Sequence, residues 1–204
     1  MSIHPTAIVH PNAKIGDGSR IGAFSVIGEG ATLGKGCDIQ ENVVIRGRVN
    51  LGDECKLFPG AVVGAEPQHT GYKGEETRVE IGHRVTLREY VTVHRGTPFG
   101  SGVTRIHDDT LIMAYTHVAH DCVVGKGVII ANAVQLAGHC EVQDYVVIGG
   151  SSAVVQHCRV GRYCYIGGGS ILRKDVSPFI TGKGNDFNVQ AINTVGLSRH
   201  GFYP

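Results

Sequence analysis

An aliphatic residue recurs at every sixth position through most of the chain. Ile3, Val9, Ile15, Ile21, Ile27, Leu33, Ile39, Ile45, Leu51, Leu57 and Val63 keep strict phase, and the beat resumes at Ile81, Leu87, Val93 and Phe99. After a one-residue slip it runs from Ile106 through Val118, Leu136 and Val154 to Leu172. A period of six suits neither an amphipathic helix, near 3.6, nor an alternating strand, near 2. It is the signature of a hexapeptide-repeat solenoid, an all-β parallel β-helix whose coils stack and bury one aliphatic column. Three hexads make a triangular coil, so the beat predicts about nine or ten coils, placed in a β-helix domain over 1–180.

Two interruptions punctuate the pattern. The polar stretch 64–80, GAEPQHTGYKGEETRVE, breaks phase and is expected to loop out of the solenoid; loops of that length in a compact repeat usually have a function. The break at 100–105 is expected to be a bulge or short loop. Beyond Leu172 the segment RKDVSPFITGKGN reads as a β-rich exit. The remainder, 181–204, is expected to be a short extension with a helix from about Asn188 to Val195.

Composition narrows the possibilities. Many of the 30 glycines directly follow a beat residue, Gly16, Gly22, Gly125 and Gly149 among them, where the chain must turn a corner. Cys37, Cys55, Cys122, Cys140, Cys158 and Cys164 each sit two positions before a beat residue, in a slot that elsewhere holds Ala13, Ser19, Ser25 or Ala61. That phase marks small buried side chains rather than metal or disulfide cysteines, and there is no CxxC pair. The net charge of +1 and the absence of Lys/Arg runs argue against a nucleic-acid partner. No apolar run reaches the ~18 residues a membrane span needs, and residues 1–10 lack a secretory pattern. A cytoplasmic location without stable membrane insertion is the expectation.

Residues eighteen apart should lie above one another on successive coils. Two positions beyond Val118, Leu136 and Val154 come His120, Gly138 and Gln156; three beyond come Asp121, His139 and His157. With His117, these form one surface strip. Histidine titrates near neutral pH and can take a proton from a hydroxyl or amine. A carboxylate beside it supports the imidazolium, and the Gly138 amide could donate to a developing oxyanion. No Ser or Cys nucleophile elbow exists, so direct transfer with His120 as base is the simpler chemistry. A three-histidine zinc site shared between β-helix protomers would call for His-x4-His on one coil; the spacing here is His117-x2-His120, and no metal is expected. His4, His10, His69, His83 and His107 read as ordinary surface residues, and His94 stays open. Prisms with flat faces pack well in closed cyclic symmetry, which predicts a homotrimer with its site in the grooves between subunits.

The segments GEETRVEIG (74–82), VTVHRGT (91–97), THVAHDCVVG (116–125), LAGH (136–139), IGG (148–150) and NTVGLSRHGF (193–202) resemble the UDP-N-acetylglucosamine O-acyltransferases that begin lipid A synthesis. The resemblance covers nearly the whole chain. It implies a left-handed β-helix, the exception to right-handed crossovers, and a homotrimer. It further implies transfer of a 3-hydroxyacyl chain from acyl carrier protein to the 3-hydroxyl of the nucleotide sugar, with no cofactor. In that family His120 matches the general base, Asp121 the group that orients it, and the Gly138 amide the oxyanion donor. His117, His139, Gln156, Gln68 and Tyr72 match residues lining the substrate cleft. Gly168 matches the position that measures acyl length, and Asn193 and Arg199 match nucleotide contacts.

The departures from the family pattern fall mostly on the acceptor side. Val155 stands in place of a cleft histidine, Val195 of a glutamate, His200 of an arginine, Gly71 of a loop lysine and Asp186 of a histidine. The family also carries a C-terminal helical domain, expected to begin where this chain stops. Two other readings stay open at this point: a related acyltransferase with another amine or hydroxyl acceptor or an acetyl-CoA donor, and a non-catalytic β-helix scaffold.

Overall fold

In the computed structural model, which describes residues 1–202, each hexad becomes a short strand followed by a corner. The inward residue of each strand is the aliphatic beat residue, as in Lys56–Leu57, Val44–Ile45 and Val123–Val124, whose second members are buried and first members are not. Strands at the same position in successive coils pair in parallel, building sheets of eleven, nine and eight strands. We call these the first, second and third faces; a coil visits them in that order. The architecture is the left-handed parallel β-helix expected from the sequence.

Register is strict. On the second face Val93 stands opposite Val118, Val118 opposite Leu136, and Leu136 opposite Val154. The column so formed is fully buried. In the first coil the column is less covered: Ile3 is exposed and Val9 and Ile15 are only half-buried.

All six cysteines are buried and free. Their slot does more than accept a small side chain. Cys37, Cys122 and Cys140 each direct a thiol at a carbonyl fifteen residues on, those of Gly52, Ala137 and Val155, at 3.0–3.2 Å. Ser19, Ser25, Thr110 and Thr116 make the same bond with hydroxyls. The slot therefore selects side chains that are small and can donate to a corner carbonyl the parallel ladder leaves free.

Three expectations change. The excursion is narrower than 64–80, because strands Val62–Ala65 and Arg78–Ile81 extend into it, leaving 66–77 outside the coil. Phe99 is not a core residue: it is 61% exposed, in a turn that leads into the strand Val103–Ile106. The helix lies further on. Asn188–Ile192 is a strand paired antiparallel with Ile180–Lys183, and Thr194–Arg199 forms the helix. The free edge at Ile180–Lys183 captures the apolar stretch as a strand, and Asn193 caps the helix by accepting from the Gly196 amide at 3.1 Å. The β-rich exit is present, as Ile180–Lys183 and a bridge between Val160 and Val176. Among the described residues no helix is long and apolar enough to cross a membrane.

Leu136 is wholly buried in the middle of the column. Leu136→Ala is expected to cost ~2–5 kcal/mol, read as a lowered midpoint in chemical denaturation.

Candidate active site

His117 sits in the second face's outward row between Thr92 and Gln135, and His120 and Asp121 form the corner that follows its strand. The corner repeats on the coils above. The His139 amide donates to the His120 carbonyl at 3.0 Å, and the His157 amide to the Gly138 carbonyl at 3.1 Å. Asp121, His139 and His157 occupy the left-handed backbone region, with φ of 60°, 62° and 67°. Asp and His tolerate that region better than most residues, so the corner can carry them in a vertical row.

The His120 ring is almost buried, and its Nδ1 lies 3.0 Å from Asp121 Oδ2. A proton on Nδ1 donated to the carboxylate leaves Nε2 with a free lone pair, as a general base requires. Asp121 is itself held tightly. Its oxygens accept from the Thr97 amide at 3.0 and 3.2 Å, the Thr97 hydroxyl at 2.7 Å and the Gly102 amide at 3.1 Å, with Ser101 Oγ at 3.4 Å. Its own amide donates to Thr104 Oγ1 at 2.9 Å. Burial pushes the carboxyl up, but the Thr97 hydroxyl, the His120 ring and the Thr97 amide outweigh it and hold it below the ordinary carboxylate value. The turn through Gly100 and Gly102, expected to be a mere bulge, is thus the cradle of the acid. A Cβ on Gly100 would lie 2.5–2.7 Å from the carboxylate atoms.

Gly138 plays the matching part on the other side. A Cβ there would meet His120 Cε1 at 2.5 Å and Nε2 at 2.8 Å, so only glycine admits the imbricated ring. Its amide donates to no protein group among the described residues, which leaves it available to a ligand.

Around this centre lies a cleft of about 600 Å³ whose lining includes Gln68, His69, His117, His120, Gly138 and Gln156. His69, read from sequence as ordinary surface, is corrected by the structure. The excursion carries it over the site, edge-on to His120 with ring centroids 5.5 Å apart and backed by Phe99 at 5.1 Å. The Gly71 amide fixes it by donating to its Nδ1 at 3.1 Å. No periodicity extends into the excursion, so its place could not be counted. His94, left open, is buried edge-on against His117 at 4.8 Å, and His117 Nδ1 bonds the Thr92 hydroxyl at 2.7 Å. The segment VTVHRGT carried the signal for His94, Thr92 and Thr97, but its role depends on the slip that follows it.

Other expected cleft residues sit elsewhere. Tyr72 is outside the cleft lining; its hydroxyl donates to the Glu75 carbonyl at 2.6 Å and accepts from Arg95 Nε at 3.0 Å. It anchors the excursion. His139 stacks on His157 at 4.5 Å and meets His120 edge-on at 5.0 Å. Val155 lines the cleft. Asn193, Val195 and Arg199 line a separate hollow of about 570 Å³ on the first face with Tyr165 and Ile192. Gly168 is an exposed corner residue stacked on Gly150. Within one chain, therefore, His120 and the residues matched to nucleotide contacts lie on different faces. His200 packs against Tyr145 and Tyr163 at 4.7 and 5.1 Å, in the place of the arginine. Asp186 lines a different hollow, with Arg173 and Phe187. One ligand atom each from His120, Asp121 and His139 lies within 4.8 Å of the others, a set able to hold a metal ion.

Burial, then the neighbouring His117 and His120, pushes His94 down from 6.5 to about 4. Burial also lowers His117 and His139, Asp121 opposing it at the latter.

Stacked hexapeptide coils bearing a His–Asp pair and an open amide define a hexapeptide-repeat transferase. The bacterial transferase hexapeptide model (six repeats) matches residues 2–29, 12–47 and 103–138. The acyl-[acyl-carrier-protein]–UDP-N-acetylglucosamine O-acyltransferase of Caulobacter vibrioides is 55% identical over 99% of this chain and 77% of its own length. That of Synechocystis is 50% identical over 98% of this chain and 72% of its own. The crystal structure of the Francisella novicida UDP-N-acetylglucosamine acyltransferase superposes with a TM-score of 0.97, at 36% identity, over 99% of this chain and 74% of that one. The chain belongs to the UDP-N-acetylglucosamine O-acyltransferase family.

Two outcomes follow from the geometry. Gly138→Ala, at a backbone conformation alanine accepts, should leave the melting temperature nearly unchanged while displacing the His120 ring and lowering turnover about 10²-fold. The depressed histidines bind protons more readily unfolded than folded, so their linked stability is full above 6.5 and drains as pH falls toward about 4. Asp121 adds a further loss only as pH falls through its own lowered value. Urea midpoints measured across that range should show a shallower slope for His94→Gln than for the unaltered chain.

Proposed function

We propose that this protein transfers a 3-hydroxyacyl chain from acyl carrier protein to the 3-hydroxyl of UDP-N-acetylglucosamine or a related amino-sugar acceptor, by direct attack. The observation that carries the reading is the juxtaposition of His120 with Asp121 at 3.0 Å and of Gly138, whose amide has no protein acceptor among the described residues, with the ring. Relatives named for acyl transfer between acyl-[acyl-carrier-protein] and UDP-N-acetylglucosamine support the donor carrier and the acceptor, and the motif resemblance supports the 3-hydroxyacyl chain and the 3-hydroxyl.

His120 Nε2 takes the proton of the acceptor hydroxyl as its oxygen attacks the thioester carbonyl. Asp121 holds the ring's orientation and stabilises the imidazolium that forms. The Gly138 amide donates to the oxyanion of the tetrahedral intermediate. His120 then returns the proton to the departing thiolate of the carrier, and proton and acyl group balance without a cofactor. His117, His69, Gln68 and Gln156 are placed to bind the sugar and the hydroxyacyl head from the cleft walls. Val155 supplies an apolar cleft wall where the family carries an imidazole.

The site is completed between subunits of a homotrimer. The chemistry of the three faces supports this. The third face carries paired charges, Arg78 with Glu80 at 2.6 Å and Arg105 with Glu80 at 2.9 Å, and Arg159 with Glu141 at 3.3 Å. It suits water. The second face turns out Ile8, Val26, Val44, Val62 and Ile171, and the upper first face Leu111, Ile129, Val147 and Tyr165. Packing the first face of one protomer on the second face of the next closes a ring of three. It also brings Asn193 and Arg199 of a neighbour toward the nucleotide, and Gly168 toward the acyl tail. A cytoplasmic site of action accords with six free buried thiols.

His120→Ala should lower turnover by ~10²–10⁴-fold with the oligomer intact, measured with mixed hydroxyacyl carrier proteins and a panel of UDP-sugars by mass spectrometry of the products. Turnover equal to the unaltered enzyme removes the base assignment.

A further inference from the structure

The corner row presents two imidazoles to a single carboxylate oxygen. Asp121 Oδ2 has His120 Nδ1 at 3.0 Å and His139 Nδ1 at 3.9 Å. The second distance is too long for a hydrogen bond, and the His139 ring makes none with the protein among the described residues. An unpartnered ring nitrogen thus faces a charged oxygen across a gap, with a third donor atom already in contact with that oxygen. One donor atom from each of the three residues lies within 4.8 Å of the others. We propose that His120, Asp121 and His139 form a binding site for a divalent ion of the zinc class, and that its occupancy arrests acyl transfer.

The donor set suits such an ion. Two imidazole nitrogens and a carboxylate oxygen, with water completing a tetrahedron, are hard-to-borderline ligands that zinc favours over magnesium or calcium. Ligand bonds of about 2.0–2.2 Å put donor atoms roughly 3.3–3.5 Å apart. His139 must therefore close by about half an ångström on Asp121, from 3.9 Å, and turn its ring nitrogen toward His120, away from its stack on His157. Asp121 keeps its bonds from Thr97 and Gly102, which hold a metal-bound carboxylate in orientation as outer partners. His69 does not join the set, because its Nδ1 is already occupied by the Gly71 amide.

The arrest follows from proton accounting. Metal at His120 Nδ1 takes that nitrogen's lone pair, so the ring's single proton passes through solvent from Nδ1 to Nε2. The neutral ring then carries its one proton on Nε2, with none released. A nitrogen that carries a proton donates and cannot accept, so the acceptor hydroxyl has no base. This second half of the proposal rests on the reading of His120 as the general base; the binding site itself rests on geometry alone.

The test uses the whole protein freed of metal with a chelator. Zn²⁺ is titrated calorimetrically, and Co²⁺ by its visible absorption, without substrates present. The expected result is one ion per chain, an intense tetrahedral cobalt spectrum, and an affinity at least about tenfold weaker in His139→Gln. His83→Asn, a surface histidine beside Asp53, should bind as the unaltered chain does. Zn²⁺ should slow acyl transfer over the same concentration range, with EDTA restoring it. Should His139→Gln misfold, carbethoxylation of the unaltered protein decides: Zn²⁺ must protect His120 and His139 and leave His83 reactive. No binding, binding indifferent to His139→Gln, or protection of His83 instead overturns the site. Binding with undiminished turnover overturns the arrest and counts against His120 as base. Metal-free protein that binds Zn²⁺ yet transfers no acyl group leaves the site standing and sinks the proposed function.

Discussion

Coil-on-coil registry is the constraint on which everything else rests. Val118, Leu136 and Val154 are locked opposite one another in a buried parallel ladder, and side chains in a strand alternate between faces. A slip of one residue would turn the aliphatic column outward. The core therefore forbids slippage, and in doing so fixes the height and direction of every corner residue two and three positions further on. His120 meets Gly138, and Asp121 sits under His139, because the column beside them has no alternative packing. A proton-transfer geometry that needs sub-ångström definition is borrowed from the stiffest part of the molecule.

Registry alone would give a plain prism, and the chemistry appears where the pattern is broken. Between Val93 and Ile106 the chain spends extra residues on a turn whose amides and hydroxyls converge on Asp121. Burying a carboxylate is costly unless its lone pairs are used. Here charge-assisted bonds from Thr97 and Gly102 offset that cost, so the group stays ionised beside the imidazole. The excursion at 66–77 is the second break, and it covers the ring with His69. Both breaks serve one corner. Elsewhere, corners such as those at Gly18, Gly36 and Gly127 carry glycine and only reverse the chain.

What could be counted was legible in the sequence, and what could not was hidden. The six-residue beat placed His120 beside Gly138 and Asp121 beside His139, since stacking is arithmetic. The small slot of the cysteines was visible too, though not the carbonyl that Cys122 and Cys140 address fifteen residues on, which depends on the corner's three-dimensional path. His69 lay in an aperiodic stretch and was misplaced for that reason. Thr97 and Gly102 were obscured because Phe99 happens to fall on the beat while its ring is exposed. The helix was set too early because the apolar run at Val189 and Ile192 suits a strand equally well; only the free edge of Ile180–Lys183 decides between them. The separation of Asn193 and Arg199 from the base was out of reach of any count within one coil, being a matter of which face the extension folds onto.

That separation links fold to assembly. In the proposed reaction, His120 at one edge of the second face and Asn193 and Arg199 over the first face cannot serve one ligand within a single prism, whose body lies between them. They can do so when the two faces belong to different copies. The faces in question are also those with outward Val, Ile and Leu, whereas the third carries Arg78, Glu80 and Arg105 in mutual contact. Exposed ion pairs contribute little to stability but would be expensive to strip of water at an interface. In the proposed trimer the charged ladder marks the face that stays wet, leaving the second face and the upper, apolar part of the first face to meet. Under the proposed trimer, burial of those faces and completion of the site are one event.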